Sequence, residues 1–323
     1  MRIEASHRRA DGGYILLAVL AVSVLVISAL ATLARLSLRR GLEASDAERS
    51  LQQRWGSMTI ERTMLQQAPS VFEQQEELLA EQAPGSPTPT TVRAMLRLGD
   101  VNFDILLGDE DAKLNLNAVY HHGGPDRIVA AVNRHGGPLV GSALRPLPAV
   151  APMPTAQRSP NRSSNRSLDR QAEEEEPQVE LPDAFRSWGE VFDLRVLDAG
   201  LARDADLPNL TTGMTLWGSG QLNFRRASDE TILAVASLVV QDGAARRIVE
   251  RYRQNPTATL AVLLQTEVSR EPDRRRLAEL MSESSLNFSI WIDAASRAGG
   301  GLRSFSVMRR DEDGVIRTTK FRH

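Results

Sequence analysis

Asp109, Glu110 and Asp111 stand consecutively in the stretch DEDAKLNLN. Three adjacent carboxylates suit one of two roles. Their oxygens are ligands of the kind calcium takes, or they form a solvated turn. Asn115 and Asn117 follow directly, and Asn223 stands in the similar stretch GQLNFRRAS. Carboxamides at such positions hold backbone groups in turns, which is a structural role. His121 and His122 in YHHGGP read as part of a turn. Arg246, Arg247, Arg251 and Arg253 cluster on one predicted helix and offer contacts to phosphate. A phosphate-binding glycine loop followed by Lys-Ser/Thr, a paired-histidine zinc motif and a Gly-x-Ser-x-Gly elbow are all missing. The chain has no cysteine, so disulfides, thiolate metal sites and a cysteine nucleophile are excluded. The residues predict no enzyme, no catalytic group and no cofactor, with calcium at Asp109, Glu110 and Asp111 as the one metal to consider.

Composition agrees with a protein of this kind. The 323 residues are 41% hydrophobic and 25% charged, ordinary usage that allows one or two globular domains. A net charge of −2 gives no electrostatic footprint for nucleic acid. Arginine supplies nearly all positive charge, and Lys113 and Lys320 are the only lysines. That imbalance reads as compositional bias.

The elements that must position these residues begin with an apolar run. Tyr14 to Ala34 contains no charge and no proline. As a helix it is ~31 Å long, close to the ~30 Å of a bilayer core and longer than the apolar part of a signal peptide. A spanning helix follows, with orientation left open, since Arg2, Arg8 and Arg9 balance Arg35, Arg39 and Arg40. Helical spacing continues through Leu38, Leu42, Leu51 and Trp55 up to Pro69, predicting one transmembrane and stalk helix over 14–68. Gly41 and Gly56 are its weak points, each costing about 1 kcal/mol relative to Ala.

Ala83 to Val92, with three prolines and a glycine, breaks the chain. Val101, Phe103 and Ile105 then alternate with Asn102 and Asp104 after a Gly99-Asp100 turn, predicting strands over 91–108. Asp126 to Gly137 predicts a short helix with a glycine stop, within a helical region 109–143. Residues 144–182, rich in Pro, Ser, Asn, Arg and Glu, predict a disordered insertion.

Helical structure resumes over 183–283. Phe185, Trp188, Phe192 and Val196 are predicted buried positions of one helix. Ser228 before Asp229 and Glu230 suits a helix start, with further helices around Ile248 and Leu263. Residues 284–323 return to strand periodicity, with Asp313-Gly314 as a hairpin turn. The order predicts an α+β fold in which helical regions interrupt a strand-rich module. AKLNLNAV and GQLNFRRAS echo one another, each preceding a helical run, which suggests two related helical subdomains.

Taken together, four features resemble general secretion pathway protein K, the large minor pseudopilin of type II secretion systems. They are a polar leader ending in Gly12 and Gly13, DEDAKLNLN, FRSWGEVFDL (Phe185 to Leu194) and GQLNFRRASDETILAV (Gly220 to Val235). The closing strands have the same character. The resemblance implies a pilin-like long helix and antiparallel sheet carrying a large inserted all-α domain of helix-hairpin-helix or SAM-like type. It implies that a prepilin peptidase removes residues 1–13, cutting between Gly13 and Tyr14, with methylation at Tyr14. Leu17, Ala18, Val22 and Leu25 would pack against neighbouring helices. Ala18 stands at the fifth mature position, where most pilins carry a glutamate, and in that family its absence accompanies the pseudopilus tip. NFRRAS departs from the more asparagine-rich form usual there. The implied setting is the inner membrane, with the amino terminus cytoplasmic and the main domain periplasmic. The implied partners are other minor pseudopilins, the peptidase and secreted cargo, with no nucleic acid. The other readings are a minor pilin of a related type IV or competence system, and a membrane-anchored helix-hairpin-helix domain that binds DNA.

Overall fold

With neither charge nor proline to stop it, the apolar run folds in the computed structural model as the lower part of one helix, α1 (Asp11–Gln82). The structure describes residues 11–82, 88–147, 185–200, 212–296, 301–310 and 316–322. Residues 1–10 of the expected leader, most of the expected disordered insertion and the Asp313-Gly314 turn lie outside these residues. Among the described residues α1 is the one helix long and apolar enough to cross a membrane, and that window is unburied within the protein. Two of its hydroxyl side chains are satisfied by the helix itself: Ser23 donates to the Val19 carbonyl (2.8 Å) and Thr32 to that of Ser28 (2.9 Å). Such back-bonding suits a polar side chain in a medium without water.

The expected stop before Pro69 does not occur; α1 continues through it to Gln82. A proline inside a helix costs about 3 kcal/mol through its missing donor and ring clash. Around Pro69, however, Leu65, Ala68 and Phe72 are buried against the sheet, and a buried Leu or Phe contributes roughly 1.5–3 kcal/mol. Tertiary packing on the flanking turns offsets the local penalty. Gly56 is a close approach as well as a weak point, because a side chain there would run into the ring of Phe103.

After α1 come β1 (Thr91–Leu98) and β2 (Val101–Asp109), joined by the predicted turn. A 3₁₀ turn, Glu110–Ala112, opens the helical domain. Its elements are β3 (Leu114–Asn115), α2 (Leu116–Gly123), α3 (Pro125–Ser142), α4 (Trp188–Val191), α5 (Leu194–Gly200), β4 (Met214–Thr215) and β5 (Leu222–Asn223). Then follow α6 (Asp229–Ala236), α7 (Asp242–Gln254), α8 (Leu260–Glu267), α9 (Glu271–Leu280) and β6 (Met281–Ser282). The chain closes with β7 (Asn287–Ser296), β8 (Gly301–Arg310) and β9 (Ile316–Arg322). The main sheet has the order β1-β2-β7-β8-β9, every pair antiparallel. β2 and β7 are neighbours, so the helical domain is an insertion between adjacent strands of an α+β module.

The insertion is not purely helical. Each echoed Leu-Asn pair is a two-residue strand: β3 pairs in parallel with β4, and β5 with β6. Each leads into a helix hairpin, α2–α3 and α6–α7. The glycine stop at Gly137 is a kink, where φ of +75° breaks α3 and a further helical turn follows. His121 and His122 lie in the last turn of α2, not in a loop. The single helix expected over 183–200 is two short ones, because Phe192 is extended and bridges to Leu144. That break rotates the next turn, leaving Val196 42% exposed and burying Leu197 instead.

Two cores result. Ile60, Leu65 and Phe72 of α1 pack on alternate residues of β2 (Phe103, Ile105, Leu107) and β7 (Phe288, Ile290, Ile292). A separate helical core is centred on Leu116, Ile128, Ile232, Ile248 and Leu263. The opposite face of the sheet carries Trp291 and Phe305, capped by Trp217 from the insertion with its ring 4.8 Å from that of Phe305.

Gly41 and Gly56 of α1 therefore respond oppositely to substitution. Gly41→Ala, with open space around it, is expected to stabilise by about 0.5–1 kcal/mol. Gly56→Val is expected to destabilise by about 1–3 kcal/mol through overpacking on Phe103. Urea unfolding of the detergent-solubilised chain checks both signs.

Candidate functional site

The end of β2 carries the three acids into the interior, contrary to the solvated turn expected of them. Asp109, Glu110 and Asp111 are 0%, 1% and 3% exposed. Asp109 Oδ1 accepts from the backbone N–H groups of Asp111 (3.1 Å) and Ala112 (3.2 Å), capping the 3₁₀ turn. Its Oδ2 accepts from Arg226 Nη1 (3.1 Å) and Ser285 Oγ (2.7 Å). Glu110 pairs with the buried ammonium of Lys113 at 2.5 Å and accepts from Ser289 and Thr215. Asp111 accepts from Ser219 N (2.8 Å) and Oγ (3.0 Å), Leu286 N (2.8 Å), Asn287 N (3.0 Å) and both Asn287 Nδ2 contacts.

Arg226 completes the arrangement. Besides Asp109 it binds Glu76 near the top of α1, and its guanidinium lies 5.5 Å from the ring centre of Phe72. One side chain thus joins the long helix, the strand β2 and the insertion. The three asparagines sit around this junction. Asn115 Oδ1 accepts from Ala118 N (3.1 Å) at the start of α2. Asn117 donates to the carbonyls of Phe185 (3.0 Å) and Leu216 (2.8 Å) and accepts from Phe185 N (2.7 Å). Asn223 accepts from Arg225 N (3.1 Å) and donates to Ser285 Oγ (2.8 Å), the hydroxyl that reaches Asp109.

Burial, and next the neighbouring charge of Asp111, pushes the Asp109 carboxyl up to about 6. Burial also raises Asp111, against the donors from Ser219, Leu286 and Asn287. For Arg226 burial works toward neutrality, yet Glu76 and Asp109 together leave its pKa raised.

Every carboxylate oxygen of the acid run already accepts a hydrogen bond or ion pair. Calcium needs six to eight oxygen ligands, and these residues, as arranged, offer no free oxygen face to it. Among the described residues no cluster of acids and histidines is arranged to hold a metal. The arrangement binds its hydroxyls, Ser285, Ser289 and Thr215, to the carboxylates themselves. It is a satisfied polar junction.

Sequence reasoning missed Arg226, Ser285, Thr215 and Glu76, which are spread over the chain and meet only on folding. One signal was present. In a chain whose cations are nearly all arginine, both lysines sit in ion pairs, Lys113 with Glu110 and Lys320 with Glu61 of α1. Of the predicted cationic row on α7, Arg247 pairs with Glu267 (3.4 Å) and Arg253 with Asp229 (2.5 Å). Leu17, Ala18, Val22 and Leu25 are exposed along the lower half of α1, and Gly13 and Tyr14 lie within the helix.

The architecture is that of an α+β head built on a helix of membrane-spanning length. No family model matches the chain, and no curated protein matches it. Among solved structures it is similar to the crystal structure of the GspK-GspI-GspJ complex from the type 2 secretion system of enterotoxigenic Escherichia coli. The identity is 14%, over 87% of this chain and 99% of that one, with a TM-score of 0.40.

Two outcomes follow from the junction. Arg226→Met strands buried Asp109 without its cation and is expected to cost about 3–5 kcal/mol, read by urea unfolding. The raised carboxyl of Asp109 means that the folded state holds a proton there that the unfolded chain releases near pH 3.8. Its stabilising contribution is complete below that pH and is lost as pH rises through about 6. Relative to the natural chain, Asp109→Asn should therefore gain up to about 3 kcal/mol between pH 4 and pH 7, checked by unfolding across that range.

Proposed function

We propose that this chain is a non-enzymatic minor pseudopilin of a type II protein secretion system, working at the pseudopilus tip, where it initiates assembly. The observation that carries the reading is α1 itself. Its first part, Tyr14 to Ala34, is apolar and unburied, and its last part is built into the core of the head through Ile60, Leu65 and Phe72. Such a helix can move between a bilayer and a bundle of similar helices without unfolding the head. The motif resemblance set out above supplies the rest. The helix anchors the chain in the inner membrane before assembly, with the head periplasmic. Leu17, Ala18, Val22 and Leu25 then pack against other minor pseudopilins. Ala18 leaves no buried carboxylate for a neighbour's amino terminus, as suits a subunit with none above it. A buried glutamate there is tolerable only when paired. The head meets secreted cargo and needs neither cofactor nor nucleic acid.

The test is the amino-terminal mass of the protein from membranes of cells with and without prepilin peptidase. A start at methylated Tyr14 that depends on the peptidase is expected. An intact Met1 in both would leave an ordinary anchored protein and overturn the proposal.

A further inference from the structure

We infer that the outer edge of β1 is a strand-acceptor site, where an extended segment of a different protein is added to the main sheet beside β1. The exclusion of a second copy rests on the membrane setting proposed above for α1; the edge itself does not.

β1 ends the main sheet, and among the described residues no strand pairs with its outer side. Thr90, just before it, turns its carbonyl toward β2, where it accepts from Asp109 N (2.9 Å). Backbone groups alternate in direction along a strand. Val92, Ala94, Leu96 and Leu98 therefore bond to β2, while Met95 and Arg97 point their N–H and C=O groups outward. Such an edge is a template for another strand.

Natural edges are guarded by proline, by bulges or by charged side chains at the rim. β1 has no proline, and its eight residues pair with β2 consecutively, without a bulge. Its two arginines are drawn back from the edge. Arg93 makes a twin contact with Asp104 (2.9 and 2.6 Å), and Arg97 Nε donates to the Gly99 carbonyl (3.1 Å). Apolar side chains remain beside the edge on both faces. Met95 is 85% exposed on one face; Leu96 and Leu98 are 42% and 45% exposed on the face where α1 packs. The far end of the sheet differs, because β9 carries Arg317, Lys320 and Arg322 along its short length.

The backbone chemistry of the edge fixes its occupant as an extended strand. The side chains set its pattern: apolar residues over Leu96 and Leu98, alternating with polar ones beside Met95 and Arg97. β2 has that pattern, with Val101, Phe103 and Ile105 alternating with Asn102 and Asp104. A second copy fits poorly. Two β1 edges pair antiparallel by a two-fold rotation about an axis normal to the sheet. α1 lies along the sheet face through Ile60, Leu65 and Phe72, so the rotation reverses it. The two apolar runs then point in opposite directions and cannot enter one bilayer.

The probe is a fluorescein-labelled peptide with the sequence of β2, Val101–Asp109, added to the detergent-solubilised full-length chain. Anisotropy reads binding, and residue-level hydrogen exchange reads where it occurs. With peptide, the amides of Met95 and Arg97 are expected to exchange at least about tenfold more slowly, while those of Ala94 and Leu96, already bonded to β2, change little. Met95→Pro removes an outward N–H and no bond to β2, and is expected to weaken peptide binding at least roughly tenfold. Met95→Lys guards the edge with charge, is expected to act in the same direction, and keeps the test decisive if proline unfolds the strand. Unchanged exchange at Met95 and Arg97, or full binding by both variants, would overturn the inference. Self-association without peptide that either variant abolishes would make a second copy the occupant and overturn it too. Protection in a chain that keeps Met1 in membranes sinks the pseudopilin reading and leaves the edge standing.

Discussion

A carboxylate with no access to water must find a cation, and Asp109 finds Arg226. Breaking such a buried pair from one side is far costlier than never forming it, so the pair dictates where three parts of the molecule sit. Asp109 ends β2, Arg226 belongs to the insertion, and Glu76, the second acid on Arg226, belongs to α1. The insertion cannot swing away without exposing a buried charge, and the long helix cannot slide along the sheet without losing Glu76 and the ring of Phe72. On the other face of the sheet Trp217 packs on Phe305. The insertion thus grips the module by an ionic contact on one side and an aromatic one on the other.

Rigidity of this kind gives α1 its two characters. Where α1 touches the sheet it is part of a core, and Gly56 is there so that Phe103 can come close. From Tyr14 to Leu36 nothing among the described residues covers it, and its apolar side chains face outward along its whole circumference. The head is fixed to the upper part of the same continuous helix whose lower part is of membrane-spanning length.

Local patterns were legible in the sequence and long-range partners were not. Alternation around Phe103 and around Ile290 placed both parts of the sheet, and Ser228 marked the start of α6, where it accepts from Thr231 N at 3.2 Å. The echo of the two Leu-Asn stretches corresponded to two equivalent short parallel pairs, although a strand of two residues has no periodicity to read. Pro69 misled because propensity is a local quantity and the packing of Leu65 and Phe72 is not. The acid run misled for the same reason: its neighbours Arg226, Ser285 and Asn287 are remote in sequence, and nothing in DEDAKLNLN itself announces them. The two lysines were visible from the start, but their scarcity acquires meaning only once both are seen bound to acids.

The pairing of β2 with β7 joins Val101 to Ser296, 296 − 101 = 195 residues apart. During synthesis the β1–β2 hairpin is complete long before its neighbour exists. Until then the apolar side chains of Phe103, Ile105 and Leu107 have only α1 to cover them, and the free edge of β2 is open to wrong partners. Contacts so distant along the chain form slowly. The insertion, whose own contacts are more local, is placed to fold first and bring β7 to the waiting edge. The order in which the chain is made thus turns an architectural detail into a kinetic gate: the head closes only after its largest part is already in shape.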